Sequence, residues 1–83
     1  DDHRMGARLH YNGKYWGDGV EVYWNDGIEA YVTPVSDSRF EVAFLWFQEK
    51  IEQGPHLQSK LLNLFPELKE KLKGHDQLND FKG

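Results

Sequence analysis

The sequence predicts an α+β domain: an antiparallel β-sheet of about four strands, arranged as a meander, with two short C-terminal helices packed on one face. Two observations lead to this prediction. Apolar and polar residues alternate with a period of two along three consecutive runs between residues 20 and 47, which is typical of half-buried strands. Leucines then recur at helical spacing after residue 56. At 83 residues the chain is expected to form a single domain, 1–83.

A weak first strand is predicted at about residues 5–11, before a connection rich in glycine and aromatic residues. Gly13, Gly17 and Gly19 interrupt regular structure there, so a loop packed by its own aromatic side chains is expected. The glycine spacing fits neither a dinucleotide fingerprint nor a phosphate-binding loop.

Three further strands are predicted at about residues 20–24, 28–35 and 39–47. The alternation of apolar and polar residues along them predicts how they pair. Directly opposed residues of an antiparallel pair share a face. A two-residue loop at Asp26-Gly27 would set Trp24 opposite Glu29 and mix apolar with polar positions. A three-residue loop that includes Asn25 sets Trp24 opposite Ile28 instead, and we predict that register. A three-residue loop at 36–38 likewise sets Val32 opposite Val42 and Ala30 opposite Phe44.

Helices are predicted at about residues 56–65 and 66–73. Leu57, Leu61, Leu64 and Phe65 share one helical face. Pro66 suits the first turn of the second helix and Gly74 its end, whereas the polar tail 75–83 is expected to be loosely held.

Composition excludes several classes of function. A net charge of −4 with a pI near 5.4 lacks the positive field of a nucleic-acid binder. No apolar run approaches the roughly 18 residues of a membrane span. The absence of cysteine fits a reducing compartment. The chain begins Asp1-Asp2-His3 and its one methionine is Met5, so we expect an excised piece of a longer protein.

Motifs for catalysis or metal binding are not recognisable. His3, His10, His56 and His75 are scattered without ligand spacing, and we interpret them as incidental. Glu21 and Glu29 could be paired carboxylates of a hydrolase, a hypothesis kept open here.

The second face of the predicted sheet is the candidate site. The predicted register sets Glu21 opposite Tyr31, and Tyr23 opposite Glu29. This face is either solvated or the wall of a binding pocket, and the apolar Leu45 and Phe47 at one end favour the wall. The candidate substrate-facing residues are Tyr23, Tyr31, Thr33, Ala43, Leu45 and Phe47.

Four tracts carry a family resemblance: Val20-Glu21-Val22-Tyr23-Trp24, Glu29-Ala30-Tyr31-Val32-Thr33-Pro34-Val35, Val42-Ala43-Phe44-Leu45-Trp46 and Leu61-Leu62-Asn63-Leu64-Phe65-Pro66-Glu67-Leu68. They resemble the middle segment of FAD-dependent oxidoreductases of the aromatic-ring hydroxylase and geranylgeranyl reductase type. Gly6-Ala7-Arg8-Leu9-His10-Tyr11 is similar to the strand that enters that segment, so the resemblance spans about residues 6–74.

The resemblance implies a substrate-binding domain of a cytoplasmic FAD-dependent oxidoreductase or monooxygenase. FAD would be held by the FAD-binding domain of the same chain, with NADPH as a possible reductant and a small apolar or aromatic substrate. The family's glycine-rich FAD fingerprint and downstream Gly-Asp motif are absent from these residues, so the piece alone is expected to be inactive and to bind no FAD. The alternative is a free-standing module that binds a small ligand or peptide on the Tyr23, Tyr31 and Phe47 face.

Overall fold

The computed structural model describes residues 4–52 and 54–79 and confirms the α+β class. Over these ranges, five strands form one antiparallel sheet, and two short helices lie between the fourth strand and the fifth. The strands are β1 (Arg4–Asn12), β2 (Glu21–Asn25), β3 (Ile28–Ser36), β4 (Arg39–Phe47) and β5 (Asp76–Gln77), in the spatial order β2-β3-β4-β1-β5. A 3-10 turn (Gln48–Lys50) follows β4, and the helices are α1 (Leu57–Asn63) and α2 (Pro66–Leu72).

The hydrophobic core lies between one face of the sheet and the two helices. β3 and β4 contribute every second residue to it, and α1 and α2 contribute Leu57, Leu61, Leu68 and Leu72. Each large side chain that is fully buried stabilises the fold by roughly 1.5–3 kcal/mol. The largest fully buried side chains are Trp46, Phe40, Phe44, Leu9, Ile28, Leu61, Leu68, Val32 and Val42.

The β2–β3 turn differs from the sequence prediction. Asp26 and Gly27 both have positive φ, 52° and 77°, and form a two-residue turn that pairs Asn25 with Ile28 and Trp24 with Glu29. The predicted three-residue loop, and with it the register of β2, is therefore wrong by one residue. Two left-handed residues give a turn whose twist matches that of the strands, and Asp-Gly suits it well.

The β3–β4 register is confirmed in its centre, where Val32 pairs with Val42 and Ala30 with Phe44. The predicted loop is wrong in detail, because Ser36 pairs with Arg39 and the ladder shifts between Pro34 and Ser36. The structure thus has a shorter turn and one extra residue, Val35, in a bulge.

Two other predictions concern the loop and the tail. Tyr15 and Trp16 of the glycine-rich connection pack on Phe40 with ring centroids 5.9 and 5.0 Å away, which confirms a loop packed by its aromatic residues. The sequence predicts a loosely held tail, yet β5 pairs with β1 and the Leu78 amide donates to the His10 carbonyl at 2.7 Å. Residues 80–83 of that tail, and His3, lie outside the described residues. No helix in the described ranges has the length and apolar character needed to cross a bilayer.

Candidate functional site

The sheet face opposite the helices, here called the open face, holds most of the predicted site. Tyr31, Thr33, Ala43, Leu45 and Phe47 all lie on it, because their neighbours along β3 and β4 are buried in the core. Their shared face is thus as predicted, and a role in substrate binding stays a prediction for all five.

Tyr23 is the exception. The two-residue turn sets Tyr23 opposite Ala30 and Glu21 opposite Val32, so both side chains lie on the helix-covered face. Placing Tyr23 on the open face was therefore wrong. The same turn sends Val22 and Trp24 to the open face, where they are 58% and 68% exposed. It also separates Glu21 from Glu29 by the thickness of the sheet, which removes the hydrolase hypothesis.

An open groove of about 520 Å³ lies on the open face across β3, β4 and β1. Of the candidate residues on this face, Tyr31, Ala43 and Leu45 line the groove, whereas Thr33 and Phe47 are not among its lining residues. Its other lining residues are Gly6, Arg8, Asn79 and the buried-face residues Ala7 and Phe44.

Sequence reasoning missed Gly6, Arg8 and Asn79. Alternation along β1, with Ala7, Leu9 and Tyr11 in the core, would have placed Gly6 and Arg8 on the open face. Asn79 had no such signal, because it reaches the groove only through the pairing of β5 with β1. Its side-chain oxygen accepts from the His10 amide at 2.6 Å.

Charged side chains on the open face form ion pairs with charged side chains of other strands. Glu29 accepts a hydrogen bond from the Tyr31 hydroxyl and lies 3.6 Å from the Arg4 guanidinium. The hydrogen bond to Glu29 raises the pKa of the Tyr31 phenol above its ordinary value of 10.0. Arg4 also lies over the Phe47 ring, 4.9 Å from its centroid.

A second pair of contacts centres on Glu41. His10 Nε2 lies 2.9 Å from its carboxylate, and Arg8 Nη1 lies 3.8 Å from the same oxygen. His10 therefore has a carboxylate partner, contrary to the interpretation of all four histidines as incidental. No cluster of three metal-ligating side chains occurs in the part of the chain that the structure describes.

On the helix-covered face, a polar network links the glycine-rich loop between β1 and β2 to β2 itself and to α2. Glu21 Oε1 accepts hydrogen bonds from Trp16 Nε1 and the Tyr23 hydroxyl, both at 2.8 Å. Lys71 Nζ donates to the Tyr23 hydroxyl at 3.2 Å and lies 3.7 Å from Glu21. Burial opposes ionisation of Glu21, but these donors and the lysine charge outweigh it and lower the pKa of the carboxyl. The network explains how an edge strand can turn polar side chains toward the helices.

The fold of this chain occurs within a larger protein of known structure. No protein-family model matches the chain, and no curated protein does. Among solved structures, that of the flavin-dependent brominase Bmp2 aligns with a TM-score of 0.75 and 16% sequence identity, over 95% of this chain and 23% of the brominase chain. At this identity the likeness shows a shared fold alone. The chain thus corresponds in fold to less than a quarter of the length of a flavin-dependent enzyme.

Proposed function

We propose that this chain is the substrate-binding domain of a larger FAD-dependent oxidoreductase or monooxygenase and that it is inactive in isolation. The observation that carries the proposal is that 95% of the chain shares its fold with one segment of a flavin-dependent brominase. The open groove beside Tyr31, Ala43 and Leu45 supports it, because ligand sites combine apolar lining with a few placed polar groups.

The described residues do not fit FAD itself. Within residues 4–52 and 54–79, no glycine-rich turn leads from a strand into a helix that could hold a pyrophosphate, and α1 and α2 have seven residues each. The proposal therefore assigns flavin and redox chemistry to the FAD-binding domain of a longer cytoplasmic chain, with NADPH as a possible reductant. The domain described here would position a small apolar or aromatic substrate.

Flavin binding by two versions of the protein tests the proposal. We expect the 83-residue chain to leave the fluorescence of added FAD unquenched. The complete polypeptide encoded by its reading frame should instead purify with about one flavin per chain. Stoichiometric quenching by the 83-residue chain, or a complete polypeptide that neither contains nor takes up flavin, would contradict it.

A free-standing module for a small ligand or peptide is the second candidate, with the face revised because Tyr23 does not belong to it. The exposed apolar side chains of Val22 and Trp24, next to Tyr31 on the open face, favour it. A reading frame that ends close to these residues and encodes no flavin-binding domain would favour the module over the flavoprotein.

A further inference from the structure

The two edges of the sheet differ in how they are covered. The outer side of β1 pairs with β5, and the Asn79 side chain accepts from the His10 amide and donates to the Arg8 carbonyl at 3.3 Å. β2 forms the other edge, and no strand in the described ranges pairs with its outer side. β2 also has none of the lysine, proline or bulge that commonly blunt an exposed edge. The outer side of β2 is therefore open to pairing with another strand.

The Asp26-Gly27 turn determines which backbone groups of β2 point outward. Asn25 and Ile28 flank this turn, and in a two-residue hairpin the flanking residues exchange both backbone hydrogen bonds. Every second residue back along β2 bonds to β3 in the same way, so the residues between them direct their amides and carbonyls away from β3. Val22 and Trp24 are those residues. Their outward backbone groups and their exposed side chains thus form one continuous edge.

The sequence of β2 has nearly the same pattern in both directions. Val22 is the centre of this pattern, with Glu21 and Tyr23 on either side of it and an apolar residue two positions away in each direction. A two-fold axis at Val22 would set Val20 of one copy opposite Trp24 of the other, at positions that are 58% and 68% exposed. The strand is therefore complementary to itself in an antiparallel pair, which a two-fold symmetric interface requires.

The same pairing brings opposite charges together on the helix-covered face. Glu21 of one copy would lie opposite Tyr23 of the other, whose hydroxyl accepts a hydrogen bond from Lys71 Nζ at 3.2 Å. The side chains of Glu21 and Lys71 are 31% and 35% exposed, so both are accessible to a second copy. Each carboxylate would thus face a hydroxyl and an ammonium group across the interface, and the symmetry repeats the contact.

We propose that two copies of this chain form a two-fold symmetric dimer, in which β2 pairs antiparallel with β2 of the second copy and the two sheets become one. β2 has five residues, whereas a standard interface has roughly 20–30 residues a side. The net charge of −4 on each copy also opposes association. The dimer should therefore be weak and depend on concentration. The inference goes beyond the proposed function and does not rest on it.

Sedimentation equilibrium of the 83-residue chain tests the dimer. Between about 10 μM and about 0.5 mM, the range expected of a small interface, the average mass should rise from that of one copy toward that of two. Over the same range, the shifts of ¹⁵N-labelled amides should change with concentration at Glu21–Asn25. Val22→Lys should abolish the dimer, because it sets two ammonium groups opposite each other at the axis.

A charge swap separates loss of the interface from loss of the fold. Val22→Glu alone should also be monomeric. An equimolar mixture of the Val22→Glu and Val22→Lys chains should associate at least about tenfold more tightly than either variant alone. Leu78→Lys is the matched control and should leave the dimer unchanged, because Leu78 is also an exposed apolar residue but lies beside β1 at the other edge.

Four results would each overturn the inference: a monomer at every concentration, a dimer that survives Val22→Lys, no association in the mixture, or amide shifts that map away from β2. A chain that stays monomeric, with β2 amides that exchange slowly with solvent only in a monomeric complete polypeptide, would overturn it as well and would assign the edge to another segment of that polypeptide. None of these outcomes alters the flavin content of the complete polypeptide, so failure of the inference and failure of the proposed function are distinguishable.

Discussion

Glu21 is the residue at which the polar contacts of the helix-covered face converge. Two hydrogen-bond donors at 2.8 Å and the Lys71 ammonium at 3.7 Å hold a carboxylate that is about one-third exposed. These contacts connect the edge strand β2 to the loop before it and to α2. The ionised form of Glu21 is therefore part of what keeps β2 in its register.

Stability should depend on pH through Glu21. Its pKa is lower in the folded chain than the ordinary 4.5, so its contribution is present above that value and is lost as pH falls through the lower, folded pKa. We expect Glu21→Gln to lower the free energy of unfolding by about 1 kcal/mol at pH 7. Urea unfolding at pH 7 and at pH 3 should show a smaller acid-induced loss for the variant than for the unsubstituted chain. Equal losses would contradict this role, and Glu70→Gln, at an exposed helix position, is the control.

At the scale of elements, the β2–β3 hairpin decides which residues belong to the open face. Matching apolar pairs across the hairpin favoured the register in which Val22 and Trp24 enter the core. That argument treats β2 as an interior strand. β2 is an edge strand, and its polar side chains meet partners on the loop and α2, so the geometry of the Asp26-Gly27 turn sets the register instead. Sequence pattern alone could not reveal those partners, since Lys71 is 48 residues from Tyr23.

Two neighbouring substitutions on β2 test this register. Trp24→Thr should cost about 0.5 kcal/mol or less, because the side chain is 68% exposed and threonine suits a strand. Tyr23→Thr should cost about 2 kcal/mol, since it removes the packing on Phe65 and the bonds to Glu21 and Lys71. Chemical denaturation measures both. The reverse order of costs would favour the three-residue loop.

At the scale of the whole molecule, the sheet and the helices depend on each other. Helices of seven residues are too short to be stable alone in water, and an 83-residue chain has a small core. Leu61 and Leu68 are both fully buried against the sheet. The helices and the sheet should therefore unfold in one transition.

Leu61→Ala tests that dependence. We expect it to cost about 3 kcal/mol, a large fraction of the stability of a domain this size. Circular dichroism and tryptophan fluorescence should report the same lowered midpoint. Leu78→Ala, at a position 45% exposed, is the control and should shift the midpoint little. Separate transitions in circular dichroism and in tryptophan fluorescence would show that the sheet stays folded after the helices have unfolded.

Local patterns in the sequence were sufficient for the fold class, for the positions of the four long strands and two helices, and for the centre of the β3–β4 register. Alternation and helical spacing are properties of residues close together in the sequence, so they can be recognised without knowledge of the fold. The same patterns placed Tyr31, Thr33, Ala43, Leu45 and Phe47 together. Tertiary structure decided the face of Tyr23, through an edge strand whose polar partners are distant in sequence. It also brought Gly6, Arg8 and Asn79 to the groove, because the pairing of β1 with β4 and β5 joins segments that no local pattern relates.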